Sequence, residues 1–374
     1  MKFEINRDLI VEGLNKVCKV VSAKASLPIL QGVLFEVDVD EIRLTGSDAD
    51  ETIVHSIPVD GQSVSVIDTG KTVIPRQLLD ILKRSRKQIT FSLDGFQTTI
   101  TSGKSEFELN CLDPEEYPKF PEMDEEQPHL VLSGERFSSF VKKTAFATSK
   151  VETRPVLTGV SINIKSDCIE LVSTDSHRLG KLSYQRDSKE EFNIVVPAKA
   201  LENCIKIFDS KLDVELIADE QMILLKNGET KFLSRLLDGN YPDTSRLIPD
   251  GYKADMRIAR KEFLDSIEHV KEIANVADNG KGGVVKLHVN GVAALSSHQA
   301  QTGKGRVETV YNQLEGEDEF TINFSAKFLI EALRAFDCDE VSFLFQGDMK
   351  PFLLKPTEKT DVDEVQLILP VRTY

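Results

Sequence analysis

The chain contains no tryptophan, and its five cysteines (Cys18, Cys111, Cys168, Cys204 and Cys338) lie far apart without one Cys-x-x-Cys pair. An odd, scattered set builds neither a disulfide framework nor a sulfur-rich zinc site. No apolar run approaches the roughly 18 residues that cross a bilayer. The start, Met1-Lys2-Phe3-Glu4-Ile5-Asn6-Arg7-Asp8, lacks the apolar stretch of a signal peptide. A reducing cytoplasm and no membrane partner are therefore expected. The six histidines (His55, His129, His177, His269, His288 and His298) show no metal-ligand spacing, so no metal is expected. A Gly-x-Ser-x-Gly elbow is missing, and Gly70-Lys71-Thr72 lacks the earlier glycine of a phosphate-binding loop, Ser65 standing in its place. These absences point away from an enzyme and from any cofactor. Positive charge is also scarce: 46 basic against 61 acidic side chains leave a formal charge of −15. Taken whole, such a chain repels nucleic acid.

What the chain does have is length, with 374 residues, 40% of them hydrophobic, and a period. Self-similarity at a fixed spacing is the signature of a repeat architecture. Leu27-Pro28-Ile29-Leu30-Gln31-Gly32-Val33 lies over Arg154-Pro155-Val156-Leu157-Thr158-Gly159-Val160 at an offset of 127, and the register continues to Ile42 over Ile169 and Asp48 over Asp175. A third, blurred copy begins at Gly283-Val284-Val285. Later in the repeat, Phe192 to Lys199 aligns with Phe320 to Lys327 at an offset of 128, and Leu112-Asp113 with Tyr117-Pro118 returns as Leu237-Asp238 with Tyr241-Pro242.

Each copy opens with a short strand and an amphipathic helix, such as Ile10, Leu14 and Val17 at helical spacing, followed by alternating strands, a second helix and more strands. The expected fold class is α+β, with two helices and about eight strands per copy. Linkers rich in proline, from Asp113 to Glu126 and from Pro242 to Gly251, place domain boundaries at 1–126, 127–250 and 251–374.

The six helices expected at Arg7 to Val20, Pro75 to Lys87, Glu135 to Lys150, Pro197 to Lys211, Arg260 to Glu272 and Ala326 to Phe336 together carry +9, which leaves −24 elsewhere. A solvated face explains one basic helix. Five net-positive helices in so acidic a chain point instead to a shared basic surface that meets phosphates without reading bases.

Three segments break the repeat: Ser173 to Leu179, Asp238 to Pro249, and the tail Leu367-Ile368-Leu369-Pro370-Val371-Arg372-Thr373-Tyr374. Separately they read as a turn with a structural histidine, a connector and a last strand. They read as a site only if they meet in space. Asp48-Ala49-Asp50-Glu51 admits a metal ion or a structural turn, and its match to Thr174-Asp175 favours the turn.

These motifs, in this order and over the full length, resemble the bacterial β sliding clamps, the processivity subunits of replicative DNA polymerases. The resemblance implies three clamp domains per chain, each with two helices on antiparallel sheets, and a head-to-tail homodimer closing a six-domain ring around double-stranded DNA without sequence preference. By the same resemblance, Lys24, Lys83, Arg154, Lys199 and Lys206 touch the DNA backbone, and Phe107, Leu109, Ile273 and Val276 form the dimer contact. A groove for a short glutamine- and leucine- or phenylalanine-containing peptide is implied at Leu157, Thr174, Ser176, His177, Arg178, Leu179, Pro242, Arg246, Leu247, Leu367, Leu369, Pro370, Val371 and Arg372. Its partners would be the replicative polymerase subunit, the clamp loader, repair polymerases and other carriers of the motif. Two readings of other classes stand beside it: a peptide-binding scaffold that never encircles DNA, and a nucleotide-dependent enzyme resting on Gly70-Lys71-Thr72.

Overall fold

The structure is a computed structural model that describes every residue except 120–122, 124–128, 187–190, 250, 275–282, 300–302 and 373–374. The first repeat runs β1 (Lys2–Asn6), α1 (Arg7–Val17), β2 (Gly32–Val37), β3 (Glu41–Ser47), β4 (Glu51–Pro58), β5 (Val64–Asp68), β6 (Gly70–Pro75), α2 (Leu78–Leu82), β7 (Gln88–Asp94), β8 (Gln97–Ser102) and β9 (Ser105–Asn110). The second runs β10 (His129–Ser133), α3 (Gly134–Thr144), β11 (Gly159–Ile164), β12 (Cys168–Thr174), β13 (Arg178–Gln185), β14 (Phe192–Pro197), α4 (Ala198–Ile207), β15 (Asp213–Ala218), β16 (Met222–Asn227) and β17 (Thr230–Arg235). The third runs β18 (Ala254–Ala259), α5 (Arg260–Ala274), β19 (Val284–Asn290), β20 (Val292–Gln299), β21 (Gly303–Thr309), β22 (Gln313–Gly316), β23 (Glu319–Ser325), α6 (Ala326–Ala335), β24 (Glu340–Phe345), β25 (Phe352–Pro356) and β26 (Val362–Ile368).

Local chemistry explains the repeated motif. Pro28 and Pro155 open short 3-10 turns, where a missing N–H costs nothing. Each turn feeds a strand through a glycine that a larger residue cannot replace. A Cβ on Gly32 would lie 2.6 Å from the Val73 side chain, and one on Gly159 would lie 2.7 Å from the Val196 carbonyl oxygen. Helix α1 is capped by Asn6, whose side chain accepts from the Asp8 N–H at 2.9 Å, and it buries Ile10, Leu14 and Val17.

The chain packs as two compact units. The first, 1–138 with 203–236, holds a five-stranded sheet in the order β5-β1-β7-β8-β9 and an eight-stranded sheet β10-β15-β16-β17-β4-β3-β2-β6. The second, 139–202 with 237–374, holds a nine-stranded sheet β14-β11-β12-β13-β26-β25-β24-β18-β22 and a four-stranded sheet β21-β20-β19-β23. In each larger sheet one repeat continues into the next by antiparallel pairing. In the first unit β17 meets β4, with Phe232 opposite Ile53 and both fully buried. In the second, β13 meets β26, with Leu179 opposite Leu367. Stacked phenylalanines fill the cores, Phe3 on Phe91 at 4.6 Å in the first unit and Phe343 on Phe352 at 4.5 Å in the second.

Five of the six helices are shorter than the sequence pattern implies, and α5 runs on to Ala274. The stretch expected from Pro75 to Lys87 keeps only Leu78–Leu82 as α-helix, because Pro75 closes β6 and the apolar spacing stops before Lys83, Arg84, Arg86 and Lys87. Within their observed bounds the six helices carry +2 rather than +9. Much of the remaining basic charge lies just beyond the helix C-termini, where it complements the helix dipole. Gly70-Lys71-Thr72 lies in strand β6, paired with β2, and Lys71 is bonded to Glu36 at 2.5 Å, so the segment is no phosphate loop.

Candidate functional site

The turn between β12 and β13 is built by an aspartate. Asp175 accepts from the N–H groups of His177 at 2.9 Å and Arg178 at 3.0 Å, which turns the chain at Ser176 with φ of 73°. The first repeat does the same. Asp48 accepts from the N–H groups of Asp50 and Glu51, and Ala49 has φ of 83°. Asp48 is thus a turn residue, and no cluster of metal-ligating side chains occurs among the described residues. The duplicated turn leaves Ser176 and His177 exposed.

The three repeat-breaking segments do meet, all within the second unit. Leu179 faces Leu367 across β13 and β26, and the Leu369 N–H donates to the His177 carbonyl at 2.9 Å. From the connector, the Tyr241 hydroxyl accepts from the Thr174 N–H at 2.9 Å, and burial pushes that phenol up to about 12. Leu179, Leu344, Leu353, Val365 and Leu367 form one buried cluster against which Val172, Ile248 and Leu369 pack. Above this floor Pro242, Arg246, Leu247 and Arg372 are exposed, while Pro370 and Val371 are half-buried. Val371 is held by its N–H donating to the Asn323 carbonyl at 2.8 Å. Leu157 is buried in the turn Pro155–Thr158, and Thr174 is buried with its hydroxyl donating to the Arg178 carbonyl. An apolar floor with a polar rim, beside a strand end, is a setting that takes a short extended peptide.

Arg178, expected at the groove, turns its side chain inward. Its side chain is only 3% exposed. Nε donates to Asp175 at 3.0 Å, one terminal nitrogen to Glu331 and the other to the Phe146 carbonyl at 2.7 Å, while the guanidinium lies over the rings of Phe146 and Phe328. Facing inward, it braces the turn against α6. The bracing residues Phe146, Phe328 and Glu331, with Tyr241, were not legible as site residues. Only Tyr241 left a signal, through its repeat partner Tyr117. A second interior pair, Lys143 with Glu364 at 2.9 Å, ties α3 to β26. Burial raises the Glu364 carboxyl despite the neighbouring ammonium.

Sequence profiles of the N-terminal, central and C-terminal domains of the DNA polymerase III beta subunit match residues 1–121, 131–243 and 245–372. The chain belongs to this beta-subunit family. The beta sliding clamps of Staphylococcus epidermidis and Staphylococcus aureus are each 40% identical over 383 residues, covering all of both chains. Among solved structures, the DNA polymerase sliding clamp of Bacillus subtilis matches with TM-score 0.93 at 36% identity, and the beta subunit of Streptococcus pyogenes with TM-score 0.94 at 30%, both over the full length of each chain. Its fold is three clamp domains of antiparallel sheets, each with two helices, and its family is that of the DNA sliding clamps of replication.

The remaining residues inferred for a beta subunit are accessible where they are described. Lys24, Lys83, Arg154, Lys199 and Lys206 are all exposed. Phe107 is 40% exposed and Leu109 half-buried on β9, the open edge of the five-stranded sheet. Ile273 lies in the last turn of α5 beside Gly305 of β21, an edge of the four-stranded sheet. Val276 lies outside the described residues.

Proposed function

We propose that two copies of this chain pair head to tail into a ring that encircles duplex DNA and tethers the replicative polymerase, the clamp loader and repair polymerases through the groove of the second unit. It acts by tethering rather than by catalysis. Repeats at 1–126, 127–250 and 251–374 are its domains. The convergence of the three repeat-breaking segments carries the groove: Leu179, Ile248, Leu367 and Leu369 come from distant parts of the chain to one apolar floor. The pairing of copies is supported by the edge strands β9 and β21, since their repeat counterparts β17 and β4 or β13 pair across repeat junctions in the larger sheets. Lys24, Lys83, Arg154, Lys199 and Lys206 would touch phosphates only, and such contacts permit sliding.

Binding through five or six peptide residues should be about micromolar, or roughly −8 kcal/mol. The test is deletion of Leu369 to Tyr374. A fluorescent synthetic peptide with a glutamine followed by leucine and phenylalanine should lose at least about tenfold in affinity, while the mass in solution stays that of a dimer. Undiminished peptide binding would refute the groove.

A further inference from the structure

The strand ladder is the same in all three repeats. One cross-strand row runs Phe3, Phe91, Ile100, Phe107 in the first, Leu130, Leu216, Leu225, Phe232 in the second, and Met256, Phe343, Leu354, Gln366 in the third. A shorter row runs Phe35, Leu44, His55, then Ile162, Leu171, Leu182, then Leu287, Leu295, Val307. Both closed junctions join the two rows in one register. Phe232 lies opposite Ile53, two residues before His55, and Gln366 lies opposite Gly180, two residues before Leu182. Carried to the edge strands β9 and β21, that register sets Phe107 opposite Gly305, two residues before Val307.

The side chains fit at this register. Antiparallel pairing sets Glu106 against Arg306, Glu108 against Lys304, and Lys104, in the turn before β9, against Glu308. All six are exposed, and each pair is opposite in charge. The closed junctions carry no such row, for the positions of the two glutamate pairs are filled there by Lys231 with Val54 and Leu233 with Thr52, and by Val365 with Lys181 and Leu367 with Leu179. Within the chain Arg306 lies 3.0 Å from Glu308, and Gln97 donates to Glu108 at 3.1 Å. A pair so exposed contributes little by itself. Set against Lys104 and Glu106 it completes a square of four alternating charges. On the other face Phe107 meets a glycine, with Cγ1 of Ile273 3.0 Å from where a Gly305 Cβ would stand. An aromatic ring covers the gap that a cross-strand glycine leaves.

We propose that β9 and β21 carry a charge code that admits a second copy of this chain head to tail in this one register, with Glu106, Glu108, Lys304 and Arg306 as its specificity-determining residues. Two β9 strands paired about Phe107 would set Glu106 against Glu108. Two β21 strands paired about Gly305 would set Lys304 against Arg306, so like-with-like pairing is repelled. The inference rests on the head-to-tail reading, and the two can fail separately. Glu106→Lys with Glu108→Lys makes both edges basic, and Lys304→Glu with Arg306→Glu makes both acidic. By analytical ultracentrifugation at about 0.1 M salt, where charges still act over neighbouring strands, each variant should dimerise at least about tenfold more weakly than the parent. An equimolar mixture should regain the parent's affinity as a heterodimer, seen by native mass spectrometry, since both of its junctions are again complementary. The neutral Glu106→Gln, Glu108→Gln variant should fall between the parent and the reversal. Circular dichroism checks the fold of each chain. A monomeric parent would end the head-to-tail reading itself. With a dimeric parent, undiminished dimerisation of the folded variants, or a mixture of folded variants that stays monomeric, overturns the charge code alone.

Discussion

His55 sits on β4 opposite Thr230 of β17, with Nδ1 3.0 Å from the threonine hydroxyl. Burial, helped by Lys16, lowers its pKa from 6.5 to about 4. The folded protein thus binds this proton less readily than the unfolded chain. Its stabilisation is whole above pH 6.5 and is lost as pH falls toward 4, in total by about 3 kcal/mol. Urea unfolding at pH 7 and pH 5 should show a smaller pH-dependent loss in His55→Gln than in the parent, and equal losses would disprove the assignment. The contrast with Arg178 shows what a single residue reveals in sequence. The motif around Arg178 identified its neighbourhood, but direction is a property of packing: Phe146, Phe328 and Glu331 come from other elements and turn the guanidinium inward. Glu51 shows the same placement one repeat earlier, accepting from Asn203 of α4 at 2.7 Å. An offset of 127 relates Glu51 to Arg178, and 128 relates Asn203 to Glu331. Neither pairing could be inferred before the helices were placed.

Strands were more legible than helices, because alternation is set by two sheet faces whereas helix length depends on the residues that flank each end. Pro75 and the cations after Leu82 shortened α2 in a way periodicity did not foresee. The pairing of elements explains the open edges. An offset of 125 relates Phe107 of β9 to Phe232 of β17. Phe232 is fully buried against β4, but Phe107 is 40% exposed because its strand has no neighbour on that side. Strand β21 occupies in the third repeat the place that β4 and β13 hold in the first two. In the proposed dimer a second copy would pair with these edges, which would otherwise invite aggregation. Burying one phenylalanine contributes about 2 kcal/mol. A closed head-to-tail pair has two identical junctions, so Phe107→Lys should weaken dimerisation by roughly a thousandfold, a loss of about 4 kcal/mol. Light scattering at micromolar concentration should find dimer for the parent and monomer for the variant. A dimeric variant would place the contact elsewhere.

For the whole molecule, a net charge of −15 first weighed against DNA, and the partition by helices then favoured it. The structure moves the favourable charge again. The helices proper are close to neutral, and Lys143 spends its charge on the buried Glu364. Lys83 at the end of α2 and Arg154 before its 3-10 turn stay exposed, and in the proposed ring they would meet phosphates. Few, sequence-blind contacts give weak binding that falls further with salt, by an amount set by the number of phosphates neutralised. Lasting attachment must therefore come from closure of the ring. Protein loaded on a nicked circle should stay bound as salt is raised through about 0.15 M, where screening is already short-ranged, and should leave at once when the circle is cut. Release from the intact circle with the same salt dependence as from linear DNA would mean that contacts hold the protein, and the encircling ring would be wrong.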